Sequence, residues 1–151
     1  MAIEYPRLLA DRDVVVTQDG QPEQTRLRGW LDGHDGPTPT YRIELATRIG
    51  SYTCPYTATG PDMFEALVRL RRQLEPDGLT IAVQGSRRDT YLSGMARDMG
   101  GGMQVYIMRP GLPGRREDLV KTLDDASPDQ IATVDEQRAF AEAWRAGLGK
   151  Q

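Results

Sequence analysis

The chain has 151 residues, a formal net charge of −3 and 38% hydrophobic residues. A length of this order suits one domain that buries about two-thirds of its unfolded surface, so neither a disulfide nor a metal is needed to hold it. The acidic balance gives no global drive toward nucleic acid, and no stretch approaches the ~20 apolar residues of a bilayer span.

The segment up to Arg12 carries Glu4, Arg7, Asp11 and Arg12 and lacks the apolar centre of a secretory signal, so a cytoplasmic location is expected. Val14 to Val16 opens a strand that ends at the Asp19-Gly20 turn. Thr25 to Leu31 alternates, with Leu27, Gly29 and Leu31 on one side and Arg26, Arg28 and Trp30 on the other. Asp32 to Pro39 is a run of turn formers and is expected to be a loop. From Thr40 the clearest period of two follows: Tyr41, Ile43, Leu45, Thr47 and Ile49 lie opposite Arg42, Glu44 and Arg48. Tyr52, Cys54 and Tyr56 alternate next. Pro55 cannot donate a ladder bond, which places that strand at an edge or bulge. Together these segments predict an antiparallel meander of three or four strands.

A helix follows, with Asp62 as its N-cap and Glu65 three residues on. Phe64, Leu67, Leu70 or Val68, and Leu74 make its apolar stripe, and Arg69, Arg71 and Arg72 its wet face. Pro76-Asp77-Gly78 stops it. Leu79, Ile81 and Val83 form a strand. Ser86 to Gly102 is polar and glycine-rich, and Met103, Val105 and Ile107 return as a strand. Pro110 to Arg116 is a loop, and Leu119 to Leu123 reads as a strand rather than a short helix. Ser127-Pro128-Asp129-Gln130 and Thr133-Val134-Asp135-Glu136 are two helix starts. The helix after Thr133 is expected to bury Val134, Phe140, Ala141, Trp144 and Leu148 and to end at Gly147 to Gly149. The fold class that results is α+β: residues 1–151 as one domain, a single antiparallel sheet packed by two main helices, one mid-chain and one C-terminal.

The segment Ser86 to Gly102 is the first place to look for chemistry, because long aperiodic runs between strands often carry function. Arg87, Arg88 and Arg97 can fork onto carboxylates or phosphates, and successive glycine amides can form an anion nest. Asp89 and Tyr91 stand beside them. The competing arrangement pairs the arginines with Asp89 and Asp98 and packs Met95 and Met99 as a short helix; it is the commoner fate of a charged loop. Gly100-Gly101-Gly102 lacks the Lys-Ser/Thr ending of a phosphate loop. His34, the only histidine, has no second soft ligand nearby and reads as a surface residue, so no metal is expected. Cys54, the only cysteine, reads as a small buried side chain, and a single cysteine leaves no intrachain disulfide. Trp30, Tyr41, Tyr52 and Tyr56 are either a flat recognition patch or core. Glu117, Asp118, Asp124, Asp125, Asp129 and Asp135 make a candidate acidic face, more often simply solvated. Glu44 and Glu65 have no spacing that pairs them as acid and base. No catalytic residue and no cofactor are expected from these patterns.

Gly85-Ser86-Arg87-Arg88-Asp89, Ser93-Gly94-Met95-Ala96-Arg97-Asp98-Met99-Gly100 and Thr133-Val134-Asp135-Glu136-Gln137-Arg138-Ala139-Phe140 resemble strings in small uncharacterised actinobacterial proteins, over about the second half of the chain. The resemblance implies no activity and carries over no functional residue. A GC-rich bacterial source agrees with the near-absence of lysine, of which only Lys121 and Lys150 occur, and with the lack of asparagine. The expected function is a non-enzymatic protein-binding or regulatory module, such as an immunity-type partner of a bacterial effector, with another protein as partner and no membrane. The alternative is a small enzyme or ligand-binding protein that recognises an anionic small molecule through residues 86–102. There Arg87, Arg88 and Arg97 would hold the anion and Tyr91 or Asp89 would move a proton. Trp30 is the further candidate contact residue, for a protein partner. Nucleic-acid binding through the arginine-rich helix is the weakest reading.

Overall fold

The computed structural model describes residues 4–49, 52–92 and 100–148, without the side chains of 47–49 and 52–54. The expected meander forms, and it is longer than the apolar alternation suggests. β1 (Arg7–Gln18), β2 (Gln21–Asp35), β3 (Thr38–Ile49) and β4 (Tyr52–Gly60) follow one another antiparallel. β5 (Leu79–Ile81) returns to the free side of β1, which gives a sheet of order β4-β3-β2-β1-β5. β4 is an edge strand, as Pro55 requires.

The expected loop from Asp32 to Pro39 is instead a two-stranded ribbon. Gly33 pairs with Thr40, His34 with Pro39 and Asp35 with Thr38, after a bulge at Leu31. Only Gly36 and Pro37 turn, and Gly36, at φ 61°, supplies the left-handed step. Turn-forming residues mark where a chain is able to reverse; backbone pairing decides where it does.

α1 (Met63–Leu74) starts as its sequence dictates. The Asp62 carboxylate accepts the Glu65 N–H at 2.7 Å. The helix tightens through Glu75–Asp77 and stops at Gly78. It crosses from the β4 edge to the β5 edge. On the way it buries Met63, Ala66, Leu67, Leu70 and Leu74 against Val14, Val16, Leu27, Ile43, Leu45 and Ala58. Each fully buried large side chain in this layer contributes roughly 1.5–3 kcal/mol.

The single sheet packed by two helices is not what forms. A second sheet, of order β6-β7-β8, is built from β6 (Thr90–Tyr91), β7 (Gln104–Ile107) and β8 (Leu119–Lys121). Strand outweighs helix. α2 (Val134–Gly147) packs on α1 and β6 rather than on the large sheet. Strands of two to four residues are too short to show a period, so their separate pairing left no trace in the alternation. The first C-terminal helix start also yields less than expected. Ser127 and Gln130 cap each other, but only a 3₁₀ turn at Pro128–Gln130 results, because Ile131 leaves it extended and bridges to Arg87.

Arg71, expected on the wet face of α1, is 2% exposed. Its Nη1 donates to Gln137 Oε1 at 2.6 Å and to the Gly85 carbonyl at 3.4 Å; its Nη2 donates to the carbonyl of Ala132 at 2.7 Å and to that of Ser86 at 3.5 Å. Glu75 lies 3.9 Å away and accepts the Val134 N–H at 3.0 Å, so one carboxylate serves both Arg71 and the start of α2. Burial lowers the Arg71 pKa to about 10, which leaves the group charged at neutral pH. Gln137 Nε2 completes the junction, donating to Gly85 at 2.9 Å and Arg87 at 2.8 Å.

Arg71→Ala removes four hydrogen bonds, leaves the Ala132 carbonyl and Gln137 Oε1 without this donor, and should cost about 3–5 kcal/mol in urea unfolding. Gln137→Ala should cost less, and the double variant less than the sum of the two. Ser86 has the opposite character: its hydroxyl is buried and has no partner among the described residues. Ser86→Ala should leave stability unchanged or raise it by up to about 1 kcal/mol in the same measurement.

Candidate functional site

A cleft of about 590 Å³ opens between α1, β6 and α2. Phe64, Glu65 and Val68 line it from α1; Thr90, Tyr91 and Leu92 from β6 and the residue after it; Val134, Gln137, Arg138, Ala141, Glu142 and Arg145 from α2. The spacing of α2 explains its share. Val134, Arg138, Ala141, Glu142 and Arg145 fall on one helical face, with Val134 and Ala141 buried at the base and the charged residues toward the rim. The floor is largely apolar, from Phe64, Val68, Leu92, Val134 and Ala141, with Thr90 and Gln137 as its buried polar residues.

Tyr91 is the hinge of the rim. The Arg145 guanidinium lies 4.4 Å from the centre of its ring, and the Trp144 ring stands 5.9 Å away at 46°. Trp144 is fixed in turn, because its indole N–H donates to the carbonyls of Arg109 and Leu112, each at 2.9 Å. Most arginines elsewhere meet carboxylates: Arg12, Arg26, Arg42, Arg72, Arg87 and Arg109 each do. Among the described residues Arg138 and Arg145 have no ion pair, and Glu65 on the opposite wall is engaged by Arg69. The cleft therefore combines a largely apolar base with two cations, Arg138 and Arg145, that meet no carboxylate among the described residues, and Glu142 stands between them on the same helical face.

Of the five described residues among the six expected from sequence, the structure brings only Tyr91 to this cleft. Arg87 is turned on its own neighbour. Its Nε and Nη2 each lie 2.8 Å from an Asp89 oxygen, and Nη1 donates to Gln84 at 3.0 Å. The pair is local structure, and three of the five guanidinium N–H groups are already engaged within it. Arg88 is exposed and outside the lining. Arg97, with Asp98, Met95 and Met99, lies outside the described residues. Trp30 stands on the far side of the large sheet from α1, with the Arg42 guanidinium 3.9 Å above it.

The wider expectations divide in the same way. What is described of residues 86–102 is mostly scaffold. Gln84–Ser86 is a 3₁₀ turn, Thr90–Tyr91 a strand, and the glycine run packs against the start of α1. Gly102, at φ 75°, has no room for a side chain: a Cβ there would stand 2.8 Å from Asp62 and from the Phe64 nitrogen. The Gly101 carbonyl accepts the Met63 N–H at 2.7 Å, so this glycine satisfies the first turn of α1.

No single aromatic patch exists among the described side chains. Tyr41 and Tyr56 pack on the core side of the sheet and Trp30 on the other; Tyr52 and Cys54 fall among the side chains not described. The acidic run is largely paired. Asp124 and Asp125 meet Arg12, Asp135 meets Arg72, and Asp118 is buried against Arg109. His34 is exposed, its Nδ1 3.3 Å from the Tyr5 hydroxyl. No cluster of three metal-ligating side chains occurs among the described residues, and no helix there is long and apolar enough to cross a membrane.

The α2 wall depends on its cap. Thr133 and Glu136 form the expected reciprocal box: Glu136 accepts the Thr133 N–H at 3.0 Å and Thr133 Oγ1 accepts the Glu136 N–H at 3.1 Å. The bond from the Thr133 backbone holds the Glu136 carboxyl below its ordinary pKa. A lowered folded-state pKa adds stability above the ordinary glutamate range, and that stability disappears as pH falls through the lowered value. Glu136→Gln keeps the box without the charge. Between neutral pH and pH about 3, thermal melting should show the parent losing more stability than this variant. No protein-family model matches the chain, and no curated protein sequence matches it at a significant level.

Proposed function

We propose that the chain is a binding module that holds an acidic, partly apolar segment of another protein in the cleft between α1, β6 and α2. The observation that carries this reading is the pairing of a largely apolar floor with Arg138 and Arg145, two cations that meet no carboxylate among the described residues. A cleft of about 590 Å³ falls within the size range of small-ligand sites, and its open side suits a chain segment that enters and leaves. Arginine and tyrosine on a fixed aromatic support are the side chains that dominate recognition energetics, because they cover area with little loss of freedom. Trp144 supplies that support to Tyr91 by its two bonds to the 109–112 turn. An immunity-type role toward an effector would be one form of this module.

A small anionic ligand is the second reading, favoured by the cleft's volume of about 590 Å³. In that case Arg138, Arg145 and Tyr91 are the residues proposed to hold the anion, since Arg87 already holds Asp89.

The test is a charge reversal at the rim. Arg138→Glu with Arg145→Glu should leave the circular dichroism spectrum intact and abolish capture of a partner that the parent retains from cells of its own source. Capture by the parent should weaken with added salt. Identical captured sets from parent and variant would remove the cleft from the interaction. For the second reading, a thermal-shift screen against carboxylates and phosphates should show stabilisation of ~2.7 kcal/mol at 100 times the dissociation constant, lost in the same variant.

A further inference from the structure

β4 is a nine-residue edge strand, and an edge of that length exposes backbone groups on which another strand can add. In an antiparallel pair, successive residues turn their N–H and C=O alternately toward the neighbour and away from it. Thr57 and Thr59 turn theirs away from β3, since their carbonyls accept bonds from side chains of α1. Gln73 Nε2 donates to the Thr57 carbonyl at 2.8 Å, and Arg69 Nη1 to the Thr59 carbonyl at 2.9 Å. Pro55 has the same parity and brings no N–H at all. Three consecutive outward positions on this edge are thus each blunted, one by a missing donor and two by an occupied acceptor.

The blunting is organised by helical spacing. Glu65, Arg69 and Gln73 are four residues apart and form one row along α1. Glu65 Oε1 accepts from Arg69 Nε at 3.3 Å and so aims the guanidinium at Thr59, while the Glu65 N–H is itself held by Asp62. We propose that Arg69 and Gln73 guard the β4 edge and hold the chain back from pairing, strand against strand, with a second copy of itself. A second copy fits because an antiparallel β4–β4 contact about a two-fold axis at Thr57 is self-complementary: Thr57 faces Thr57, and Pro55 faces Thr59. The free N–H groups of Thr57 and Thr59 remain as donors, so removal of the guards restores the acceptors that such a ladder lacks.

The experiment is a concentration series by sedimentation of the parent, Arg69→Ala with Gln73→Ala, and Arg72→Ala, which lies on the same helix but pairs only with Asp135. The parent and Arg72→Ala should stay at monomer mass. The double variant should move toward dimer mass as concentration rises, with amide exchange at Thr57 and Thr59 slowed in the dimer. A double variant of parental circular dichroism that remains monomeric overturns the proposal. So does a dimer in which the Thr57 and Thr59 amides exchange as fast as in the monomer. Both guards are exposed, so the single variants fold even where the double does not, and each should then show part of the same shift.

Discussion

A guanidinium cut off from water needs acceptors for its N–H groups, and the layout of the second half of this chain follows from where Arg71 finds them. The carbonyls of Gly85, Ser86 and Ala132 and the Gln137 side chain come from three separate stretches, and all of them close on one side chain of α1. Without that convergence the Ala132 carbonyl, just before α2, would lose its donor in a dry place, and the Gly85 and Ser86 carbonyls would each keep one donor instead of two. Glu75 extends the junction by one step, since its carboxylate takes the first N–H of α2 while facing Arg71. The cleft lies directly beside this junction, and Gln137 belongs to both. The position of α2 against α1, and hence the separation of the cleft walls, is therefore set by polar bonds of fixed geometry rather than by fluid apolar contact.

The two halves of the molecule are held by different means. The large sheet and α1 form a conventional apolar layer in which Leu27, Ile43, Leu45, Leu67 and Leu70 are fully buried. The outer face of that sheet is a lattice of ion pairs in which Arg26 and Arg28 share Asp11 and Arg42 holds Asp32. Arg26 beside Asp11 keeps that carboxyl below its ordinary pKa. Such exposed pairs add little stability, but they leave few unpaired arginines on this face. The small sheet has few residues of its own to bury. It depends on Val105, on bonds from Gly85 and Gln84 to Thr122 and Asp124, and on Trp144 over the 109–112 turn.

What could be read in the sequence was what is local. The Asp62 cap, the Thr133–Glu136 box, the edge strand at Pro55 and the Gly78 stop each depend on residues a few positions apart, and each stands where the pattern put it. What could not be read was distant. Arg71 has the same local surroundings as Arg69 and Arg72, and only the partners brought by α2 take it out of water. The second sheet was hidden because Thr90–Tyr91 is two residues long. The cleft residues Arg138, Glu142 and Arg145 did carry a signal, since they share a helical face with Val134 and Ala141. A charged stripe beside a buried one is what any surface helix shows, so that signal is weaker than the one in the glycine-and-arginine segment. There, Arg87 is neutralised within two residues by Asp89, a contact that a charge count cannot distinguish from availability.

The Arg71 junction also bears on the order in which the chain can assemble as it is made. Ala132 and Gln137 follow Arg71 by 61 and 66 residues. At 5–20 residues per second they emerge about 3–13 s after it. Throughout that interval the meander and α1 are complete in sequence, yet Arg71 lacks its two shortest acceptors, the Gln137 side chain and the Ala132 carbonyl, and keeps water in their place. A hydrated charge on that flank of the helix keeps the nascent layer soluble and resists premature closure on unrelated apolar surface. The same residue that locks the finished molecule is, until then, what keeps the unfinished one open.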